Sequence, residues 1–171
     1  SLDRIRQDLT DIPQIVYGVN LGITWKQFDL SLLFQGQAKV INTIQETWVD
    51  PSSGGAGNLM QWWTEDMWTP ENTDGTKPRL GTPNKINGTT FTNINAAFFK
   101  LKNAEIGYTL PVAVREKIGV ANARVYLSGT NLFSFDHMRG MGIDPEATGS
   151  GYGGWALNPQ RLINLGVNVS F

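Results

Sequence analysis

Residues 163–171 alternate without a fault: Ile163, Leu165, Val167, Val169 and Phe171 are apolar, while Asn164, Gly166, Asn168 and Ser170 are small or polar. A period of two is the signature of an extended strand, because successive side chains point to opposite faces. A strand with one wholly apolar face and one small, polar face must lie between a greasy medium and a wet one. The same alternation opens the chain, with Tyr17, Val19, Leu21, Ile23 and Trp25 set against Gly18, Asn20, Gly22 and Thr24. It restarts after Lys26 and Gln27 as Phe28, Leu30, Leu32 and Phe34 against Asp29, Ser31, Leu33 and Gln35, which predicts a tight hairpin.

Two further strands are expected at 98–110 and 123–133. In the first, Phe99 and Leu101 are apolar at odd positions but Ile106, Tyr108 and Leu110 at even ones. The phase therefore slips near Asn103, which points to a β-bulge. In the second, Val125, Leu127 and Phe133 share a face with Gly129 and Asn131, the least regular pattern of the five. The connections at Lys26 and at 111–122 are short, the latter with a helical turn over Val114 to Ile118, while those at 38–97 and 136–162 are long and rich in Gly, Pro, Asn, Thr and Trp. Short turns at one end and long loops at the other describe a bacterial outer-membrane barrel. Nine residues rising ~3.3 Å each and tilted by ~45° cover about 21 Å, close to the ~25 Å apolar band of such barrels. Five strands are too few to close, since these barrels begin at about eight and an open edge in lipid leaves backbone groups unpaired. The expected fold is thus all-β: an antiparallel transmembrane β-barrel fragment of about five strands, cut from a larger barrel and carrying long extracellular loops.

Composition removes the main rivals. Of 171 residues only 17 % are charged, below the usual ~25 %, and 19 are Gly. With a net charge of −1 and no Lys/Arg cluster, no phosphate-neutralising surface for nucleic acid is expected. No Cys and a single His, His137, leave no thiol chemistry, zinc centre or iron–sulfur cluster, so no cofactor and no metal site are expected. Apolar runs such as 30–34 and 96–99 fall far short of the ~20 residues of a spanning helix. Residues 1–8 lack a basic segment followed by an apolar one, so no targeting segment is read there.

Seven blocks in order carry a family resemblance: Val16-Tyr17-Gly18-Val19-Asn20-Leu21-Gly22, Phe28-Asp29-Leu30-Ser31-Leu32-Leu33-Phe34-Gln35-Gly36, Trp68-Thr69-Pro70-Glu71-Asn72 with Pro78-Arg79, Leu101-Lys102-Asn103-Ala104-Glu105-Ile106-Gly107-Tyr108-Thr109-Leu110-Pro111, Arg124-Val125-Tyr126 with Gly129-Thr130-Asn131-Leu132-Phe133, Asp144-Pro145-Glu146, and Asn164-Leu165-Gly166-Val167-Asn168-Val169-Ser170-Phe171. Across nearly the whole chain they resemble the C-terminal end of the SusC/RagA-like TonB-dependent transporters of Bacteroidetes. The resemblance implies a plugged outer-membrane barrel of about 22 strands. It also implies a SusD-like surface lipoprotein as lid, and import of glycans or peptides driven by TonB–ExbBD. Residues 1–171 would be the C-terminal part of that barrel, multi-pass in the bacterial outer membrane, with the plug domain and remaining strands outside this sequence. No enzymatic activity is implied.

Individual residues take roles within that frame. Asp29, Ser31, Gln35, Glu105, Thr109, Asn164 and Asn168 are expected to face the lumen, and residues of opposite parity the lipid. Leu165, Val167, Val169 and Phe171 look like the assembly signal of outer-membrane barrels. Trp62, Trp63 and Trp68 in a helix-like stretch over 58–68 would pack the long loop, stack on a sugar ring or touch the lid; a local core is the expected role, since long loops need one to be ordered. Trp25, Phe28 and Tyr108 would form an aromatic girdle at the short-turn end. Asp144 and Glu146 flank a proline among glycines and read as a turn rather than a catalytic pair. His137 has no nucleophile beside it, and 149–154 reads as a flexible loop tip. Two other functions fit parts of the pattern: a passive porin-type barrel segment, and a soluble β-sandwich carbohydrate-binding module with a Trp platform. A sandwich would have to bury the apolar face of 163–171 under a second sheet.

Overall fold

The computed structural model of the chain describes residues 8–44, 59–79, 89–146 and 158–171. In chain order the elements are β1 (Ile15–Trp25), β2 (Phe28–Ala38), β3 (Ile41–Thr43), α1 (Gln61–Glu65), a 3-10 turn (Thr90–Thr92), β4 (Asn93–Asn95), β5 (Phe98–Thr109), α2 (Val112–Ile118), β6 (Asn122–Asp136) and β7 (Leu162–Ser170). They fall into two compact units: a sheet unit of 16–36, 98–135 and 159–171, and a loop unit of 1–15, 37–97 and 136–158.

The sheet unit is a five-stranded sheet in the order β1-β2-β5-β6-β7, so each long strand lies beside the next long strand in sequence. The five expected strands are all present, and the fold is all-β apart from the short helices. Alternation specifies the strands; short turns make neighbours of β1 and β2 and of β5 and β6, while β2 pairs with β5 and β6 with β7 across the two long connections. Lys26, at a φ of 55°, takes the left-handed backbone that two-residue hairpin turns demand, and the Thr109 amide donates to the Gln27 carbonyl at 2.8 Å. The other short connection is more structured than a bare turn. α2 starts after Pro111 and stops at Gly119, whose φ of 73° is the usual left-handed helix ending. Its flanks are tied to strand ends: Leu110 donates to the Ala123 carbonyl and Ala121 to that of Ser170, both at 2.8 Å.

The phase slip in β5 is present. Phe99 stacks on Phe34, centroids 5.2 Å apart, while Tyr108 packs on Phe28 at 4.7 Å. Phe28 and Phe34 are an even number of residues apart and share a face, whereas Phe99 and Tyr108 are an odd number apart. One extra residue is therefore taken up between them. The irregularity in β6 also has a local cause. Asn131 has a φ of 51°, and Leu132 lies over Gly129, the ladder to β7 having ended at Thr130.

The loop unit is built the other way, around a buried centre. Val40, Ile44, Trp63, Ala96, Met138 and Ile143 form its core, with Leu59, Met60, Trp62, Ile94 and Met141 packed against them. β3 and β4 pair antiparallel from Ile41 opposite Asn95 to Thr43 opposite Asn93. The Ala96 amide donates to Val40 at 3.1 Å, and that of Ile44 to Thr92 at 2.8 Å. Gln37 joins the two long connections by donating from Nε2 to the carbonyls of Ala96 at 3.0 Å and Pro145 at 3.3 Å. The helix read over 58–68 is shorter than expected, because its end is captured by a different partner. The Trp68 amide donates to Lys77 at 2.8 Å and the Lys77 amide to Asp66 at 2.9 Å, so the backbone leaves the helix after Glu65 and pairs with 76–77.

Candidate functional site

The register of β6 against β7 fixes which side chains share a face. Val125 stands opposite Val167, Leu127 opposite Leu165 and Gly129 opposite Ile163, while Arg124 stands opposite Asn168, Tyr126 opposite Gly166 and Ser128 opposite Asn164. Opposed residues in a ladder point to the same side, so one side is apolar and the other polar. Phe28, Ile106, Tyr108, Val125, Leu127 and Leu165 line one shallow recess, which extends the apolar face across four strands. These residues are not hidden within the chain: Leu165 is 76 % exposed, and Ile163, Val167, Ile106 and Leu127 are exposed with it.

Two bands of rings border that face. At the short-turn end Phe28 and Tyr108 are in contact, with Trp25 exposed and Lys26 Nζ 4.8 Å from its ring centre. Eight residues earlier in β1, Tyr17 begins a second band that sequence reasoning missed. Tyr17 stacks on Phe99, Phe99 on Phe34, Phe34 meets Phe133, and Phe133 meets Phe135, with centroid separations between 5.2 and 6.5 Å. Tyr17 also donates its hydroxyl to the Phe98 carbonyl at 3.0 Å. The signal for this band existed as single aromatics at strand ends, but only cross-strand register brings them into a row.

The polar face holds a charge cluster. Arg124 donates from Nε to Asp29 Oδ1 at 3.0 Å, from Nη2 to Asp29 Oδ2, and from Nη2 to Glu105 Oε1 at 2.7 Å. One guanidinium thus joins β2, β5 and β6, and its side chain is the best covered of the three, 20 % exposed against 34 % for Asp29 and 38 % for Glu105. The geometry is the two-point carboxylate clamp for which Arg is suited. Asn168 lies opposite Arg124, and Asn164 opposite Ser128. Ser31 and Gln35 follow Asp29 at even spacing in β2, and Thr109 follows Glu105 in β5. Sequence reasoning picked out Asp29 and Glu105 but not Arg124, their common partner.

The three candidate tryptophans separate. Trp63 is 1 % exposed in the loop core, Trp62 meets it edge-on at 5.7 Å, and Trp68 is 41 % exposed. Lys77 Nζ lies 5.6 Å from the Trp63 ring centre. Asp66 accepts from the Thr76 amide at 3.1 Å and from the Thr76 hydroxyl; these bonds, with Lys77 nearby, hold its carboxyl below the ordinary 3.8. Asp144 caps its own turn, accepting from the Glu146 amide at 2.8 Å, and its amide donates to Asn158 Oδ1 at 2.9 Å. His137 is exposed. The tip 149–154 lies outside the described residues. Among the described residues no group of three or more His, Cys, Asp or Glu could hold a metal ion, and no helix is long and apolar enough to cross a membrane.

An antiparallel meander with an outward apolar face, rings at both ends and a polar opposite face is the wall of a transmembrane β-barrel. No family profile matches the chain. Among characterised proteins it is 30 % identical to TonB-dependent receptor P26 of Formosa agariphila over 94 % of this chain and 17 % of that protein. It is 29 % identical to TonB-dependent receptor P3 of the same organism, over 93 % of this chain and 16 % of the relative. Among solved structures it resembles the RagAB peptide importer in its open-open state, with a TM-score of 0.70 and 28 % identity over 97 % of this chain and 18 % of that one. A second RagAB peptide transporter structure matches with a TM-score of 0.65 and 29 % identity, over 85 % of this chain and 16 % of the other. Along nearly its whole length the chain is thus similar to SusC/RagA-like TonB-dependent receptors, and it spans less than a fifth of the length of these relatives.

Proposed function

We propose that this chain forms wall and outer loops in the C-terminal part of a barrel that imports oligomeric nutrients across a bacterial outer membrane, its plug and remaining strands lying elsewhere in the receptor. The observation that carries this reading is the β6–β7 register, which gathers Val125, Leu127, Ile163, Leu165 and Val167 on one exposed face. A face of that kind needs lipid rather than water. Strand lengths agree: β1, β2 and β7 have 11, 11 and 9 residues, and a tilted spanning strand needs about 9–11. Asp29, Ser31, Gln35, Glu105, Thr109, Asn164 and Asn168 then face the lumen. The chain supplies wall and loops to a conducting barrel and has a structural rather than a catalytic part in it.

The relatives support one cargo class over the other. The RagAB neighbours are peptide importers, which favours peptides over glycans, and a surface lipoprotein of the SusD-like class is the matching lid. Energy would come from TonB–ExbBD through parts of the receptor outside this chain. Residues 38–97 and 136–162 would lie outside the cell, and the short connections at Lys26 and 111–122 in the periplasm. Cysteine labelling on whole cells tests the reading. In the full receptor, Asp74→Cys should react with an impermeant maleimide, and Lys117→Cys only after the outer membrane is opened. Asp74 is preferred over Gly75, where a Cβ would meet the Met67 backbone. Labelling of Lys117→Cys alone on intact cells would reverse the topology, and loss of the receptor without loss of oligopeptide uptake would remove the peptide assignment.

A further inference from the structure

Face alternation forbids a strand to slip by one residue, because every apolar side chain would change sides, but it permits a slip by two. A slip of β7 by two would place Leu165 or Val169 opposite Val125 in place of Val167, and the apolar face would be preserved. Hydrophobicity therefore does not choose between these registers. The structure shows what does. Tyr126 of β6 lies across Gly166, its partner in β7, so closely that a Cβ on Gly166 would overlap the ring. On the other flank of β6, the Arg124 guanidinium lies across Gly107 of β5 so closely that a Cβ there would overlap it. Arg124 Cζ is 5.1 Å from the Tyr126 ring centre, so the two side chains also brace one another.

We infer that Arg124 and Tyr126 act as a paired register key, seated on Gly107 and Gly166, that sets β5, β6 and β7 against slips by two residues. Only one polar-face position on each neighbouring strand provides the seat. In β5 the residues two places away are Glu105 and Thr109, and in β7 they are Asn164 and Asn168. Each carries a side chain where the key needs bare backbone. Arg124 adds a second selection, since its bonds to Asp29 and Glu105 form in one register of β2, β5 and β6 alone. β5 has particular need of this, because its bulge gives it two phases and so a weaker hydrophobic signal. The same device recurs on the apolar face, where Tyr17 of β1 covers Gly36 of β2. The key goes beyond the transport reading and does not depend on it.

Disulfide trapping in the full receptor, with any cysteine elsewhere replaced, reads the register directly, since this chain has none of its own. Val125→Cys combined with Val167→Cys reports the native register; combined with Leu165→Cys or Val169→Cys it reports the slipped ones. The native receptor should cross-link in the first pair only. Tyr126→Ala should raise a slipped product at least about threefold, Tyr126→Phe should not, and Gly166→Ala should act like Tyr126→Ala because it unseats the ring. Joining Tyr126→Ala to Gly166→Ala should add little, as expected when key and seat are one unit. Unchanged slipped products in Tyr126→Ala, or additive effects of key and seat, would overturn the inference. If Tyr126→Ala leaves no assembled barrel, restoration by Tyr126→Phe supports the key, and failure of Phe to restore it refutes a role for the seated ring.

Discussion

The two units of this chain solve opposite problems with the same residue types. In the loop unit Trp63, Val40, Ile44 and Met138 are almost wholly buried, and backbone groups find partners across irregular connections. In the sheet unit every residue of β1 is exposed and large apolar side chains point outward, while polar side chains pair across strands on the other face. The difference teaches that apolar content does not say where a core lies. Period two arranged on a sheet makes an outward apolar surface, whereas scattered apolar residues between turns collapse inward. The two units should therefore respond differently to the same kind of injury.

The sharpest separation is expected from Trp63→Ala. Emptying a core Trp site costs about 3–5 kcal/mol, and the loss should stay local: 59–79 becomes protease-sensitive while the barrel keeps its heat-modifiable mobility on gels. Trp68→Ala, at a ring outside the buried core, should have a much smaller effect, and equal sensitivity of the two would dissolve the loop core. Next comes the wall. Leu165→Arg should destabilise the full barrel by roughly 2–4 kcal/mol when refolded into bilayers, since the charge loses its water, whereas Asn164→Arg on the polar face should cost far less. Equal losses would break the two-faced sheet.

A smaller effect tests the joint between the two long connections. Gln37→Ala removes bonds to the Ala96 and Pro145 carbonyls, and at about 1 kcal/mol per bond it should raise hydrogen exchange at the amides of 96–97 and of Glu146, the residue after Pro145, without altering β5 or β6. The smallest is pH-dependent. Because the Asp66 carboxyl titrates below its ordinary 3.8 when folded, its bonds to Thr76 contribute fully above that value, and their contribution is lost as pH falls through the lower folded value. Exchange at the Thr76 amide should rise in that acid window, and Asp66→Asn should flatten the rise. Protection that fell towards neutral pH instead would contradict the sign.

Much of the sheet was legible because alternation is local. Ile163 to Phe171 and Tyr17 to Trp25 declare strand and face without reference to any other segment. The bulge in β5 was legible for the same reason, as a change of parity between Phe99 and Ile106. The loop tryptophans were not separable, since Trp62, Trp63 and Trp68 are alike in sequence and differ only in what encloses them. The helix expected over 58–68 stopped at Glu65 because Asp66 and Trp68 found partners at 76–77, a competition that helical pattern does not encode.

The sequence by itself determined the number of long strands, their apolar and polar faces, the two neighbouring pairs joined by short turns, and the family resemblance, all of which depend on patterns within one segment or on an ordered set of segments. The tertiary structure alone decided that Arg124 clasps Asp29 from 95 residues away, that Tyr126 sits on Gly166, that Tyr17 and Phe133 belong to one row of rings, and that Trp63 rather than Trp68 is the centre of the loop core. The physical reason is register: which side chain meets which across a sheet depends on how far each strand has slid along its neighbour, and a period of two leaves that sliding free in steps of two residues.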